Sequence, residues 1–198
     1  MNVTAVLLAA GASRRMGALK QLLPLGGRPL VQVALDHLVG SQVDRILVVL
    51  GCEADRVERA LTLPSNGRVR VIRHEGWESG MAGSLVAGLE AAGDPEALLV
   101  ALGDLPMIPP RVIDRLLAVA SRTDRTIVAP SYEGRQGHPV LFRRVHFDEL
   151  RALDGDTGAA RVLKAHPDRL HLVPVDSDGI LRDVDLPFQL MEAAEAQG

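Results

Sequence analysis

The feature that most constrains this chain is a repeated alternation of two patterns. Short aliphatic runs at 3–9, 45–50, 69–73, 97–102 and 126–129 are separated by segments 29–38, 53–61, 81–92 and 110–121, in which apolar residues recur at helical spacing. Strands joined through helices pair side by side in the same direction, by right-handed crossovers. The pattern therefore predicts an α/β fold with a doubly wound, mostly parallel sheet. The runs carry little polar alternation, as expected of strands covered on both faces. Aromatic residues make up 3% of the chain against 47% for all hydrophobic types, so the core must be built from Val, Leu, Ile and Ala. After residue 130 the pattern loosens. A strand at 138–142, a helix near 145–153, a loop at 154–158, a helix to 165 and a strand at 170–175 are predicted. A turn at 176–179 then leads to 180–184, read as ending in a strand, and a helix over 187–196. There is no internal repeat, low-complexity tract or linker, and 198 residues suit one domain.

Charge and cysteine content narrow the function. The formal net charge is −3 and no run of Lys or Arg stands out, so a nucleic-acid partner is not expected. The single cysteine, Cys52, excludes an intrachain disulfide and argues against a cysteine-ligated cluster. No apolar stretch approaches the ~20 residues of a membrane span, and no charged n-region with a cleavage site opens the chain. The expectation is a cytoplasmic protein without membrane attachment.

The first strand runs into Leu8-Ala9-Ala10-Gly11-Ala12-Ser13-Arg14-Arg15-Met16-Gly17, followed by Lys20 and Leu22-Leu23. Small residues at a strand exit let backbone N–H groups approach a phosphate, and Arg15 and Lys20 add fixed charge for a polyphosphate. The spacing is neither that of a P-loop nor that of a dinucleotide fingerprint. A second candidate is Asp104, in Gly103-Asp104-Leu105-Pro106 just beyond the run 97–102. Ligands of open α/β sheets bind beyond the carboxyl ends of strands, where a carboxylate can hold Mg²⁺ with few protein ligands. The alternative is a turn aspartate capping the helix that follows Pro109-Pro110. The loop His74-Glu75-Gly76-Trp77-Glu78-Ser79-Gly80-Met81 opens another helix, whose N-terminus offers free N–H groups. Its Trp77 is read as either a stacking surface or a packing anchor. Asp156 reads as an N-cap.

The block Leu8-Ala9-Ala10-Gly11-x-Ser13-x-Arg15-Met16-Gly17-x-x-Lys20-x-Leu22-Leu23 resembles the signature of the MobA/MocA-like nucleotidyltransferases. The resemblance continues at Gly80-Met81-x-x-Ser84-Leu85, Gly103-Asp104-x-Pro106, Gly137-His138-Pro139 and Asp183-Val184-Asp185-x-Pro187. It implies a Rossmann-like sheet of the nucleotide-diphospho-sugar transferase type and transfer of CMP or GMP to a molybdopterin-type acceptor. By this resemblance Leu8, Ala9, Ala10, Gly11, Ser13, Arg15, Lys20, Gly80, Ser84 and Asp104 bind the nucleotide. Asp104 and Asp185 hold Mg²⁺, and His138 meets the acceptor. The usual Asp-Thr-Pro-Glu-Asp ending is replaced here by Asp185-Leu186-Pro187-Phe188-Gln189. Leu-Ala-Ala-Gly rather than Leu-Ala-Gly-Gly points to CTP over GTP, because the Ala10 methyl narrows the slot for the base. A molybdoenzyme is the partner the resemblance suggests. Open alternatives are guanylyl transfer, transfer to a sugar phosphate or other metabolite, and a non-catalytic cofactor chaperone. His138 has no His or Cys partner at metal spacing, so its alternative is a turn residue.

Overall fold

The computed structural model describes residues 1–12 and 18–184. Its strands are β1 (Val3–Ala9), β2 (Pro24–Leu25), β3 (Arg28–Pro29), β4 (Arg45–Leu50), β5 (Val69–Arg73), β6 (Ala97–Leu102), β7 (Ile127–Tyr132), β8 (Arg135–Gln136), β9 (Val140–Arg143) and β10 (Leu170–Pro174). The helices are α1 (Leu30–Val39), α2 (Ala54–Arg59), α3 (Met81–Ala92), α4 (Pro110–Ala120), α5 (Phe147–Arg151) and α6 (Ala160–Ala165). The main sheet runs in the order β10-β7-β9-β6-β1-β4-β5, with β8 paired to β7. β1 is parallel to both neighbours, β4 and β6, and β5 is parallel to β4. β9 reverses the run, antiparallel to β6 and β7, and the short β8 is likewise antiparallel to β7. The predicted α/β architecture with a mostly parallel sheet is present.

Side-chain alternation on β1 explains the two layers. All seven of its residues are buried. Val3, Ala5, Leu7 and Ala9 belong to a cluster with Leu35 of α1 and Leu116 of α4. Val6 and Leu8 belong to another, with Leu85 and Leu89 of α3 and Leu150 of α5. Successive strand residues point to opposite faces, so a run that is aliphatic on both, with Thr4 its one polar residue, requires helices on both. Pro110 opens α4 at a position where its missing N–H would have no helical partner in any case.

Three local features depart from the sequence reading. The segment 180–184 does not form a strand. Asp178–Leu181 is a 3₁₀ turn, and the Ile180 carbonyl accepts from His138 N–H at 3.0 Å while its side chain is buried. The expected strand at 138–142 begins at Val140, because Pro139 has no N–H to give the ladder. The two-residue strands β2, β3 and β8 are too short for periodicity to reveal. The helix predicted over 187–196 lies outside the described residues.

Candidate functional site

The four carbonyls where β1 ends are all engaged. Leu8 O accepts from Gly103 N–H at 2.9 Å and Ala10 O from Cys52 N–H at 3.0 Å, so the exits of β6 and β4 grip the loop from either side. Ala9 O and Gly11 O both accept from Gln21 Nε2, at 3.1 and 2.7 Å. Gln21 is 3% exposed and lies in the 3₁₀ turn Lys20–Leu22. None of these carbonyls is left without a donor at the place where an anion would approach. Removing the side chain in Gln21→Ala strands two carbonyls. The expected result is a loss of about 1–3 kcal/mol in a denaturant melt, together with a raised KM for the nucleotide.

A cleft of about 430 Å³ opens over this loop. Leu8, Ala9, Ala10, Gly11 and Lys20 form its floor, Gly103 and Asp104 one flank, and Trp77, Gly80, Met81 and Ser84 the other. It lies beyond the carboxyl ends of β1 and β6, as open α/β sheets require. Lys20 Nζ donates to Asp104 Oδ2 at 2.6 Å, with the two side chains 17% and 23% exposed. A lysine contributed after β1 and a carboxylate after β6 thus meet across 84 residues of sequence. Helix α4 is capped by Pro109 without a side-chain bond, so Asp104 is not its cap.

The opposite flank is set by close backbone packing. Gly80 has φ of +106°, and a Cβ there would come within 2.5 Å of Gly155 O and 2.6 Å of Asp156 Oδ1. Only glycine meets both demands. Behind it, Ala82 N–H donates to Gly155 O at 3.0 Å, fastening the start of α3 to the 154–158 loop. The first turn of α3 carries no acidic residue, so its positive dipole end faces the cleft uncompensated by its own side chains. Gly51 lies against Trp77: a Cβ at Gly51 would stand 2.4 Å from Trp77 Cβ. The indole is therefore both a packing anchor and a wall of the cleft.

The sequence-predicted residues divide three ways. Leu8, Ala9, Ala10, Gly11, Lys20, Gly80, Ser84 and Asp104 all line one cleft. Ser13, Arg15 and Asp185 lie outside the described residues. Val184, the residue before Asp185, donates its N–H to Asp104 O at 2.9 Å, which ties that end of the chain to the rim. His138 does not line the cleft. It sits ahead of β9 near enough to Asp104 to sense its charge. Burial pushes the imidazole below its ordinary pKa, and the Asp104 carboxylate pulls the other way. Its buried Nδ1 finds no hydrogen-bond partner among the described residues.

Sequence reasoning missed Gln21, and it read Asp156 as an N-cap. Ala159 occupies that cap, while Asp156 lines the cleft beside Gly80. Its place beside Lys20 marks Gln21 as near the loop but does not say which carbonyls its amide reaches. Nothing in the sequence distinguished Asp156 from an ordinary turn aspartate.

An open mostly parallel sheet, a small-residue loop at a strand exit and a lysine–carboxylate pair over one cleft define a nucleotide-handling transferase domain of the α/β class. The chain belongs to the family of the MobA-like NTP transferase domain, whose profile matches residues 5–170. It is 34% identical to nicotine blue oxidoreductase of Paenarthrobacter nicotinovorans, across 95% of this chain and 94% of that protein. It is also 34% identical to a molybdenum cofactor guanylyltransferase of Mesorhizobium japonicum, across 71% of this chain and 65% of that one. Among solved structures, Rv0371c of Mycobacterium tuberculosis superposes with a TM-score of 0.84 at 28% identity over 98% of both chains. Its complex with manganese superposes at 0.81, with 27% identity and the same coverage.

Proposed function

We propose that the protein transfers a nucleoside monophosphate, CMP from CTP, to the phosphate of a molybdopterin-type acceptor and releases pyrophosphate. The observation that carries this reading is the Lys20–Asp104 pair at 2.6 Å within the cleft. A polyphosphate needs a cation held in place and a carboxylate that can share a divalent ion, and these two side chains supply both. Asp104 fits such an ion: it is partly exposed at a rim, and its carboxylate already faces a cation in the ammonium of Lys20. Asp185 is the second carboxylate in this proposal, supported by the bond from Val184 to Asp104. Manganese in the Rv0371c complex supports a divalent metal, with Mg²⁺ as the proposed ion. A bound Mg²⁺ supplies charge neutralisation at the α-phosphate.

The acceptor phosphate oxygen attacks the α-phosphorus in line. A new P–O bond forms as the α–β bridging bond breaks, and pyrophosphate leaves. A phosphate monoester has its second pKa near ~6, so at neutral pH it attacks as the dianion without a general base. Lys20, with Arg15, holds the β- and γ-phosphates and stabilises the charge that builds on the leaving group. The N-terminus of α3 and Ser84 orient the nucleoside. His138, buried and outside the cleft lining, takes no acceptor contact in this proposal and meets the site only through its nearness to the Asp104 charge.

The test is pyrophosphate release with Mg²⁺ and molybdopterin, comparing CTP, GTP, ATP and UTP. Turnover selective for CTP supports the proposal, and turnover with GTP keeps the mechanism but overturns the base. Ala10 is 5% exposed and lines the cleft. Ala10→Gly should therefore relax the CTP:GTP ratio of kcat/KM by about tenfold, the scale of one methylene-sized contact. Tight nucleotide binding without pyrophosphate from any pair would favour a cofactor chaperone. A redox reaction in the same cleft is the second reading, favoured by the near full-length similarity to a protein named as an oxidoreductase. Reduction or oxidation of a dye without pyrophosphate release would select it.

A further inference from the structure

Away from the cleft, near the amino end of β7, three side chains from two segments converge, two of them three residues apart on one continuous turn into α5. They are His146, in the 3₁₀ turn Arg144–His146, Glu149 of α5, and His166 at the C-cap of α6. One ligand atom from each lies within 4.8 Å of the other two. His146 Nδ1 is 3.1 Å from Glu149 Oε1, and His166 Nε2 is 2.6 Å from Glu149 Oε2. The imidazole rings are 4.9 Å apart, centroid to centroid. We propose that His146 Nδ1, a Glu149 carboxylate oxygen and His166 Nε2 form a second metal site, for one divalent ion of the zinc type.

Two imidazoles and one carboxylate select Zn²⁺ and its borderline-soft neighbours over Mg²⁺, which favours all-oxygen sites. Ligand atoms about 2.0–2.1 Å from a tetrahedral ion stand roughly 3.3 Å from one another. Both nitrogen–oxygen separations here, 3.1 and 2.6 Å, fall short of that value by less than an ångström, so sub-ångström outward shifts of the side chains would seat the ion. The ring of His146 is already oriented by a partner on its other nitrogen: Nε2 lies 2.7 Å from Thr126 Oγ1. An outer hydrogen bond of this kind fixes the tautomer and direction of a metal-binding histidine. Burial grades outward, from 4% exposure at His146 to 30% at His166 and 43% at Glu149. The open side gives the ion a path in and leaves room for a water as fourth ligand. Glu149 and His166 also bracket the 154–158 loop that backs the flank of the nucleotide cleft. An ion there would cross-link the two ends of the segment carrying that loop.

The test is zinc stoichiometry and thermal shift on the whole protein in an Asp104→Asn background, which removes the carboxylate of the nucleotide cleft. The expected result is one zinc per chain and a rise in Tm of about 5 °C or more at zinc roughly 100-fold above Kd. Both should be lost when His166→Ala or Glu149→Gln is added. These two side chains are part-exposed, so their variants are expected to fold without zinc, checked by their zinc-free Tm. A Co²⁺ titration should give the intense visible absorption of tetrahedral coordination only while both are intact. No zinc uptake, or the same uptake and shift with and without His166, would overturn the proposal and leave a hydrogen-bonded His–Glu–His staple.

Discussion

Asp104→Ala should lower kcat by at least about 10³-fold while nucleotide binding survives, read by pyrophosphate release and by titration with a non-hydrolysable CTP analogue. The magnitude follows from the job proposed for the carboxylate. A metal-assisted transfer draws several kcal/mol of its barrier reduction from charge neutralisation at the transferring phosphate, and each 1.36 kcal/mol is a factor of ten in rate. Because the floor of the cleft is held by Gln21, Cys52 and Gly103 independently of Asp104's side chain, the nucleotide pocket should keep its shape. Near-normal turnover in Asp104→Ala would sink the metal assignment outright.

Lys20→Met, which keeps most of the volume and removes the charge, should cost about 10²-fold or more in kcat, as when one charge-stabilising donor is deleted. A second readout separates this from general damage. The ammonium sits on the same carboxylate proposed to share a metal, so removing it should leave divalent-metal affinity intact or improved while turnover falls. Its loss also uncovers a mostly buried carboxylate, and a modest fall in stability should accompany it. Lys20 and Asp104 touch, so the double variant should be little worse than Asp104→Ala alone. Additive losses would mean that the two act on different parts of the reaction. Weakened metal binding in Lys20→Met would mean that the lysine builds the metal site rather than competing at it.

How far the sequence reached depended on the range of the interactions involved. The alternation of aliphatic runs and helical segments is set by residues a few positions apart, and it carried the sheet, the helices on both faces and the position of the cleft. Leu8–Gly11, Lys20 and Asp104 were legible because strand exits in such sheets are where ligands bind, and because their residue types suit phosphate. Gln21 was not legible. Its importance lies in which carbonyls its amide reaches, and a glutamine in sequence does not say. Gly51 was equally silent until Trp77, 26 positions later, came to rest on it. The His146–Glu149–His166 group escaped for the same reason, since only the turn from α5 into α6 returns residue 166 to residue 149. Reading 180–184 as ending in a strand failed because its apolar residues bury by packing: Ile180 satisfies its carbonyl against His138 N–H instead of joining a ladder.

The reversed strand β9 has a consequence for how such a chain can diverge. The parallel strands β1 and β6 bring their exits to the cleft, so a change there disturbs a strand–helix crossover and the layer beneath it. β9 runs the other way and brings its beginning, at Val140, to this end of the sheet, straight out of the β7–β9 hairpin excursion. That excursion, 133–136, is exposed at all four positions. Its tie to the sheet is the short β7–β8 pairing, Ser131 with Gln136 and Tyr132 with Arg135, so a change of length or composition there costs the sheet those two pairs. The fold thereby holds a cleft floor locked into the core beside an exposed hairpin that can be rewritten without touching that floor.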